Sequence, residues 1–103
     1  MYIQANIGRN VNDTPMTDER WDTFAGSVAF AIYANANDVT LDMLDIEIHN
    51  GTGSFEGISE DSRHISVYSE AGFDLDNLRD DLREIKGWFD QEAIALIVGS
   101  ELI

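Results

Sequence analysis

The sequence predicts an α+β fold with four strands and two helices, and two kinds of periodicity lead to this prediction. Three segments alternate apolar and polar residues, as half-buried strands do, and two others repeat apolar residues at spacings of three and four, as amphipathic helices do. A last segment is apolar at every position and predicts one more strand. In chain order the six segments are a strand over 2–8, a helix from Thr17 to about Asn35, strands over 41–49 and 63–69, a helix that follows Asp74, and a strand over 93–98.

The first strand and the first helix are defined by their apolar faces. Ile3, Ala5 and Ile7 alternate with polar residues and predict the buried side of the strand. Thr17 is a favourable N-cap, and two acids follow it in the first turn, where the helix dipole stabilises negative charge. The predicted buried stripe of this helix consists of Trp21, Phe24, Ala25, Val28 and Ile32.

The elements of the second half of the chain are predicted from the same two periodicities. Polar residues over 50–54 predict a turn after the second strand, and residues 55–62 predict a connecting segment before the third. Asp74 predicts the N-cap of the second helix, and Gly87 lies near its predicted end. The predicted inward residues are Leu44, Ile46 and Ile48 of the second strand, Ile65 and Val67 of the third, and Leu75, Leu78, Leu82, Ile85 and Phe89 of the helix.

The order strand, helix, strand, strand, helix, strand is that of a ferredoxin-like βαββαβ domain. We therefore expect residues 1–103 to form one domain, in which two helices cover one face of a four-stranded antiparallel sheet. Trp21, Phe24 and Trp88 are the predicted large residues of the core. The opposite face of the sheet is predicted to be open, with polar and aromatic side chains at Tyr2, Gln4, Asn6, Asp45, Glu47, His49, His64, Ser66 and Tyr68.

The charge of the chain is its strongest functional signal. Twenty Asp and Glu against six Lys and Arg give a net charge of −14, and residues 38–103 hold sixteen of the acids and four of the bases. Such a field repels nucleic acid and anionic membranes and attracts basic partners. Disulfides and thiolate metal sites are excluded because the sequence has no cysteine, and the lack of a signal-like start or long apolar run predicts a cytoplasmic protein in the host cell.

No motif predicts catalysis, a metal or a cofactor. Residues 74–77 begin like a calcium loop but lack its glycine and its later glutamate. The glycines over 51–57 resemble a phosphate loop, yet no lysine and no helix follow them. His49, His64 and Glu47 have residue types that bind zinc, although two histidines at strand ends are more often plain surface residues. The sequence therefore predicts a protein that is not an enzyme.

Three short motifs form a pattern. They are Trp21-x-x-Phe24, then Gly53-Ser54-Phe55-Glu56-Gly57 with Glu60 and Ser62, and Phe89-x-Gln91-Glu92-Ala93-Ile94. The pattern resembles small α/β proteins of actinobacteria and their phages, in which Trp often stands at the position of Phe55. The resemblance implies a ferredoxin-like fold and a phage or prophage origin. It implies no activity, and it marks Glu60, Ser62 and Gln91 for mutation.

The function predicted from charge and resemblance is a small acidic protein-binding module, such as a phage-encoded inhibitor of a host defence or regulatory protein. Its carboxylates would imitate the phosphates of DNA and pair with Arg and Lys on the partner. A plain solvated surface, or adaptation to high salt, is the alternative explanation of the charge. The residues assigned to partner contact are Tyr2, Asp45, Glu47, Glu56, Glu60, Asp61 and Tyr68.

Two other functions stay open. One is a small-molecule-binding protein or minor enzyme, with a candidate pocket formed by Trp21, His49, His64 and Gln91, joined by Glu60. The other is a structural or virion-associated dimer. The two-sided apolar strand over 93–98 favours association through that strand or across the open face, unless residues 101–103 fold back to cover it.

Overall fold

The computed structural model describes residues 1–37, 44–55 and 57–99. The predicted segment 41–43, Glu56 and residues 100–103 lie outside the described residues. The elements are strand β1 (Tyr2–Gly8), strand β2 (Asn10–Val11), strand β3 (Thr14–Pro15), helix α1 (Asp18–Ala34), strand β4 (Leu44–Phe55), strand β5 (Ile58–Ser69), helix α2 (Leu75–Trp88) and strand β6 (Ala95–Gly99).

The predicted fold class is confirmed. Four strands form one sheet in the order β4-β5-β1-β6, and every neighbouring pair is antiparallel. This order places β1 and β5 in the centre and leaves β4 and β6 at the edges. Neither described helix is long and apolar enough to cross a membrane.

The core lies between the sheet and the two helices. The inward residues of the central strands, Ile3, Ala5 and Ile7 with Ile65 and Val67, are all buried against α1 and α2. Both predicted N-caps are present, because the side chain of Thr17 accepts a hydrogen bond from Arg20 N and that of Asp74 accepts one from Asn77 N. Each cap satisfies a backbone N–H that has no partner within the helix.

The hairpin between β4 and β5 is longer than predicted, and the predicted turn over 50–54 is wrong. Residues 50–55 continue β4 and pair with residues 58–63, so the chain reverses around Gly57, whose φ is +81°. The turn was predicted from the polar composition of these residues. Polar residues can nevertheless form a strand pair where the helices do not cover the sheet, because such a pair needs no apolar face.

A second difference is the β2–β3 hairpin, which turns through Asn12 and Asp13, both at positive φ. Asn and Asp tolerate this conformation better than other non-glycine residues.

Two residues predicted to be inward are exposed. Trp88 is 60% exposed at the end of α2, and its place in the core is taken by Phe89, whose ring stacks on Phe24 with centroids 4.9 Å apart. Ile48 is 52% exposed because it lies on the edge strand β4, which the helices do not cover. Trp21 and Phe24 are buried as predicted.

Candidate functional site

The open face of the sheet carries the polar side chains that the sequence predicts there. Strand register places them in three rows across β4, β5 and β1. The rows are Asp45, Tyr68 and Tyr2; Glu47, Ser66 and Gln4; and His49, His64 and Asn6. A fourth row of Gly51, Ser62 and Gly8 lies at the end of the sheet nearest the β2–β3 hairpin.

A hydrogen-bond network holds the middle of this face. The side-chain amide of Gln4 donates to Asn6 Oδ1 at 2.8 Å and lies 3.3 Å from His64 Nδ1, while its oxygen accepts from the hydroxyl of Tyr2 at 3.2 Å. His64 Nε2, on the other side of the ring, lies 3.4 Å from Ser62 Oγ. Both ring nitrogens therefore have polar partners, and the network orients the ring of His64.

The carboxylate of Glu60 is fixed at the glycine end of the open face. Its Oε1 accepts a hydrogen bond from the backbone N–H of Asn10 at 2.8 Å. The same carboxylate lies directly over Gly8, where a Cβ would be 2.4 Å from Oε1. The backbone oxygen of Asn10 in turn accepts from the side-chain amide of Gln91 at 3.2 Å. Glu60 is thus held in one place by a backbone donor and by the absence of a side chain at Gly8.

A cavity lies beside Glu60, and small-molecule sites usually have volumes of roughly 300–1,000 Å³. The cavity beside Glu60 has a volume of ≈ 320 Å³. Its lining combines the β1 end, the β2–β3 turn, the start of β5 and the segment before β6: Gly8, Asn10, Asn12, Asp13, Ile58, Glu60, Asp90, Gln91, Glu92 and Ala93. It opens where the polar rows of the sheet end.

The end of the open face far from Glu60 carries two further acids and has a shallower depression than the cavity beside Glu60. Asp45 and Glu47 lie there with Tyr2, Ser66 and Tyr68 around a depression of ≈ 490 Å³. Glu47 also accepts from His49, with 3.2 Å between Oε2 and Nε2. Eight residues of extended β5 separate Glu60 from Tyr68, a distance of roughly 26 Å, so the two ends are separate surfaces.

The structure does not bring the four residues of the candidate pocket together. Trp21 is buried on the helix side of the sheet, where Arg63 lies 4.8 Å over its ring centroid. His49 and His64 are cross-strand neighbours on the open side, as expected, and Gln91 lies at the Glu60 corner. Within the described ranges no group of three or more His, Cys, Asp and Glu is placed to hold a metal ion.

The residues assigned to partner contact are also divided between surfaces. Tyr2, Asp45, Glu47, Glu60 and Tyr68 lie on the open face or at its end, and Glu56 is outside the described residues. Asp61 instead points to the helix side and pairs with Arg9, whose other carboxylate partner is Asp18. The hydrogen bond that Arg9 donates to Asp18, together with the charges of Asp18 and Asp61, raises the pKa of Arg9.

Sequence reasoning missed Gly8 and Asn10. The alternation of residues 2–8 ends at Gly8, so Gly8 was interpreted only as the last residue of a strand. Nothing in the sequence indicated that the carboxylate of Glu60, 52 positions later, lies over it. Asn10 contributes through its backbone, so its residue type carries no signal. Only the pairing of Gly8 with Ser62 brings these groups beside Glu60.

Solved structures of phage proteins share the fold of this chain. A phage SAM lyase in its apo state matches with a TM-score of 0.51 at 17% identity, over 99% of this chain and 91% of that one. A phage SAM lyase in complex with S-methyl-5′-thioadenosine matches with a TM-score of 0.53 at 17% identity, over 92% of this chain and 76% of that one. No protein-family model and no curated protein matches the sequence. At this identity the likeness establishes a shared fold.

These matches correct the predicted function. The acidic protein-binding inhibitor and the assignment as a non-enzyme are contradicted, because the chains that share this fold over nearly its whole length are lyases acting on a small molecule. The alternative, a small-molecule-binding protein or enzyme, agrees better with the matches. The phage association implied by the sequence resemblance agrees with them as well.

Proposed function

We propose that this protein is an enzyme that binds S-adenosylmethionine at the Glu60 end of the open sheet face and cleaves it to S-methyl-5′-thioadenosine. Two findings support the proposal. Solved structures with the same fold are named as SAM lyases, and one of them holds S-methyl-5′-thioadenosine. In this chain the open face ends in a cavity where the carboxylate of Glu60 is held by Asn10 N–H.

The acidity of the chain has a direct role in this function. S-adenosylmethionine has a net charge of +1 near neutral pH, since its sulfonium and ammonium groups outnumber its carboxylate. The protein has a net charge of −14, and the described residues of the open face include Asp45, Glu47 and Glu60 but neither Lys nor Arg. Such a field raises the local concentration of a cation and its rate of encounter. The thioether product is neutral, so the attraction weakens once the bond is broken.

The chemistry needs no co-reactant. S-methyl-5′-thioadenosine is S-adenosylmethionine without its four-carbon amino acid arm, so the bond between sulfur and Cγ of the arm breaks and its electron pair returns to sulfur. In a lyase reaction no water is consumed, and the carboxylate of the arm attacks Cγ to close a five-membered lactone. The lactone keeps the ammonium group, so atoms and the net charge of +1 balance on both sides. The enzyme's task is to hold the arm in the folded conformation from which this attack occurs.

Glu60 is suited to that task. A fixed carboxylate accepts a hydrogen bond from the α-ammonium group and orients the arm, and it needs no rearrangement because Asn10 N–H and Gly8 already hold it. His64 lies four residues along β5 from Glu60, which is about 13 Å. That span is of the order of the distance from the amino acid arm to the adenine of the substrate. We therefore place the arm at Glu60 and the nucleoside toward the polar network of His64, Asn6 and Gln4.

A phage protein with this activity deprives SAM-dependent host enzymes of their substrate. The proposal therefore keeps the anti-defence role suggested by the phage association, while it replaces a protein target with a metabolite. The observation that carries the proposal is the fixed carboxylate of Glu60 on the open face of a fold shared with SAM lyases.

The test is direct. The purified protein is incubated with S-adenosylmethionine, and both S-methyl-5′-thioadenosine and the four-carbon product are quantified by mass spectrometry. A lactone indicates intramolecular attack, whereas homoserine as the initial product indicates hydrolysis and contradicts a lyase. Glu60→Gln is expected to lower kcat/KM by about 100-fold. Glu19→Gln, an equal charge change at an exposed position of α1, is the matched control and is expected to keep full activity.

If the wild-type protein neither consumes S-adenosylmethionine nor binds S-methyl-5′-thioadenosine in calorimetry, the proposed function is wrong. Full activity in Glu60→Gln would retain the reaction but remove Glu60 from the site.

A further inference from the structure

The cavity beside Glu60 is suited to a ligand with positive charge. Its lining contains neither Lys nor Arg, and it contains four acids, which are Asp13, Glu60, Asp90 and Glu92. Asp90 pairs with Arg20 at 3.7 Å, whereas none of the described residues forms an ion pair with the other three acids. The two positive groups of S-adenosylmethionine, the sulfonium and the α-ammonium, both belong to its amino acid arm. The cavity therefore matches the charged part of that substrate.

The same cavity offers uncharged donors to the carboxylate of the arm. The side-chain amides of Asn12 and Gln91 are part of the lining, and the amide of Gln91 donates to Asn10 O. An amide nitrogen carries two N–H groups, so Gln91 retains one for a ligand. An amide binds a carboxylate more weakly than the guanidinium of an arginine does, which leaves the carboxylate free to act as a nucleophile.

The nucleoside end of the site has no charged group to recognise. Gln4, Asn6 and His64 hydrogen-bond to one another, and about 13 Å of β5 separates His64 from Glu60. The nucleoside is itself uncharged, and the bonds that form and break in the lyase reaction involve only the sulfur, Cγ and the carboxylate of the arm. In the proposed mode all of these atoms lie at the Glu60 cavity.

We propose that this cavity recognises the sulfonium group with its amino acid arm, so that the protein also cleaves sulfonium compounds that carry this arm but no nucleoside. This inference rests on the proposed function and deepens it by naming the substrate class. With S-methylmethionine, a carboxylate oxygen bonds to Cγ, the bond between Cγ and sulfur breaks, and its electron pair returns to sulfur. The products are dimethyl sulfide and homoserine lactone with its ammonium group. The net charge is +1 on both sides, and no water or other co-reactant is consumed.

The test is incubation of the full chain with S-methylmethionine. Dimethyl sulfide is measured in the headspace by gas chromatography and the lactone by mass spectrometry, against a blank without protein. The kcat/KM is expected to be about 100-fold below that for S-adenosylmethionine, which corresponds to the loss of about three ordinary hydrogen bonds to the nucleoside.

Two variants assign the recognition to one end of the site. Glu60→Gln keeps an oxygen that can accept from Asn10 N–H and removes the charge, so it is expected to lower kcat/KM by about 100-fold for both substrates. Asn6→Ala alters the nucleoside end, so it is expected to lower kcat/KM about fivefold for S-adenosylmethionine alone. Glu19→Gln remains the matched control for both substrates.

A third compound tests the contact with the ammonium group. γ-Dimethylsulfoniobutyrate has the same sulfonium and carboxylate and can close the same ring, but it lacks the ammonium. Glu60→Gln is therefore expected to change its cleavage by no more than about fivefold, the effect of a screened charge.

The outcomes separate this inference from the proposed function. Cleavage of S-adenosylmethionine without any cleavage of S-methylmethionine above the blank would overturn the inference and leave the proposed function intact. Cleavage of neither compound would remove both. The inference is also wrong if Glu60→Gln affects S-adenosylmethionine alone, or if Asn6→Ala lowers the cleavage of both substrates equally.

Discussion

Gly8→Ala separates the position of the Glu60 carboxylate from the stability of the fold. A Cβ at residue 8 would be 2.4 Å from Glu60 Oε1 and 2.7 Å from Cδ. Ordinary contact between such atoms begins near 3.4 Å, so the carboxylate has to move by about 1 Å. A misplacement of that size lowers turnover by about 100-fold in sites that depend on orientation. The Glu60 side chain is flexible, which lets it move without displacing the backbone.

The cost to stability is expected to be small. Moving the carboxylate breaks the hydrogen bond from Asn10 N–H, a loss of about 1 kcal/mol where water can replace the acceptor. Replacing glycine by alanine in a strand returns about 0.5–1 kcal/mol by restricting the unfolded chain. Net stability in urea unfolding should therefore change by less than about 1 kcal/mol, while kcat/KM for S-adenosylmethionine cleavage falls by about 100-fold.

Gly53→Ala is the matched control. Gly53 is the cross-strand partner of Glu60, and nothing lies within 4 Å of the position that its Cβ would occupy. This variant is expected to keep wild-type kinetics. Wild-type kinetics in Gly8→Ala as well would refute the reasoning, because the position of the carboxylate would then have no effect on the reaction.

Three further predictions concern the fold and are measured by urea unfolding. Trp21→Ala is expected to lower the free energy of unfolding by about 3–5 kcal/mol, while Trp88→Ala at its exposed position should change it by less than about 1 kcal/mol; equal effects would contradict the placement of the two rings. Gly26→Ala is expected to stabilise the protein by about 0.8–1 kcal/mol, because it lies inside α1 with open space at its Cβ, and a loss would show an unseen contact. Asn35→Ala is expected to cost about 1–3 kcal/mol, since the buried amide donates to Ala31 O and to Asp81 Oδ2, and an unchanged midpoint would show that this link between the helices adds nothing.

Periodicity was a sound guide to the elements, and local polarity was a poor guide to their ends. The alternation of residues 2–8 and the spacing after Thr17 and Asp74 depend on which side chains the helices bury, and these predictions are confirmed. The turn predicted over 50–54 failed because residues 50–53 pair with β5 at exposed or half-buried positions, which need no apolar face. Trp88 was misplaced because helical spacing does not show where a packed face ends, whereas Phe89 reaches the core from the residue after the helix.

The candidate site was predictable only in part. The open face followed from strand alternation, so the neighbours His49 and His64 and the acids Asp45 and Glu47 were expected there. The position of the Glu60 carboxylate was not expected. It is held by the backbone N–H of Asn10 and by the absence of a side chain at Gly8, and residue type does not indicate either contact.

The sequence by itself determined the order of the four sheet strands and the two helices, the buried faces of the two central strands, the two helix caps and the acidity, since each depends on residue type and on spacing within a short segment. Tertiary structure decided which surface each charge occupies. Asp61 and Glu60 are adjacent in the chain, yet strand alternation sends one to an ion pair with Arg9 and the other to the open face. Charge counted along the chain therefore suggested a continuous surface for a basic protein. Strand pairing divides that charge between the two sides of the sheet and leaves one fixed carboxylate beside a cavity, because contacts between distant residues depend on register and not on composition.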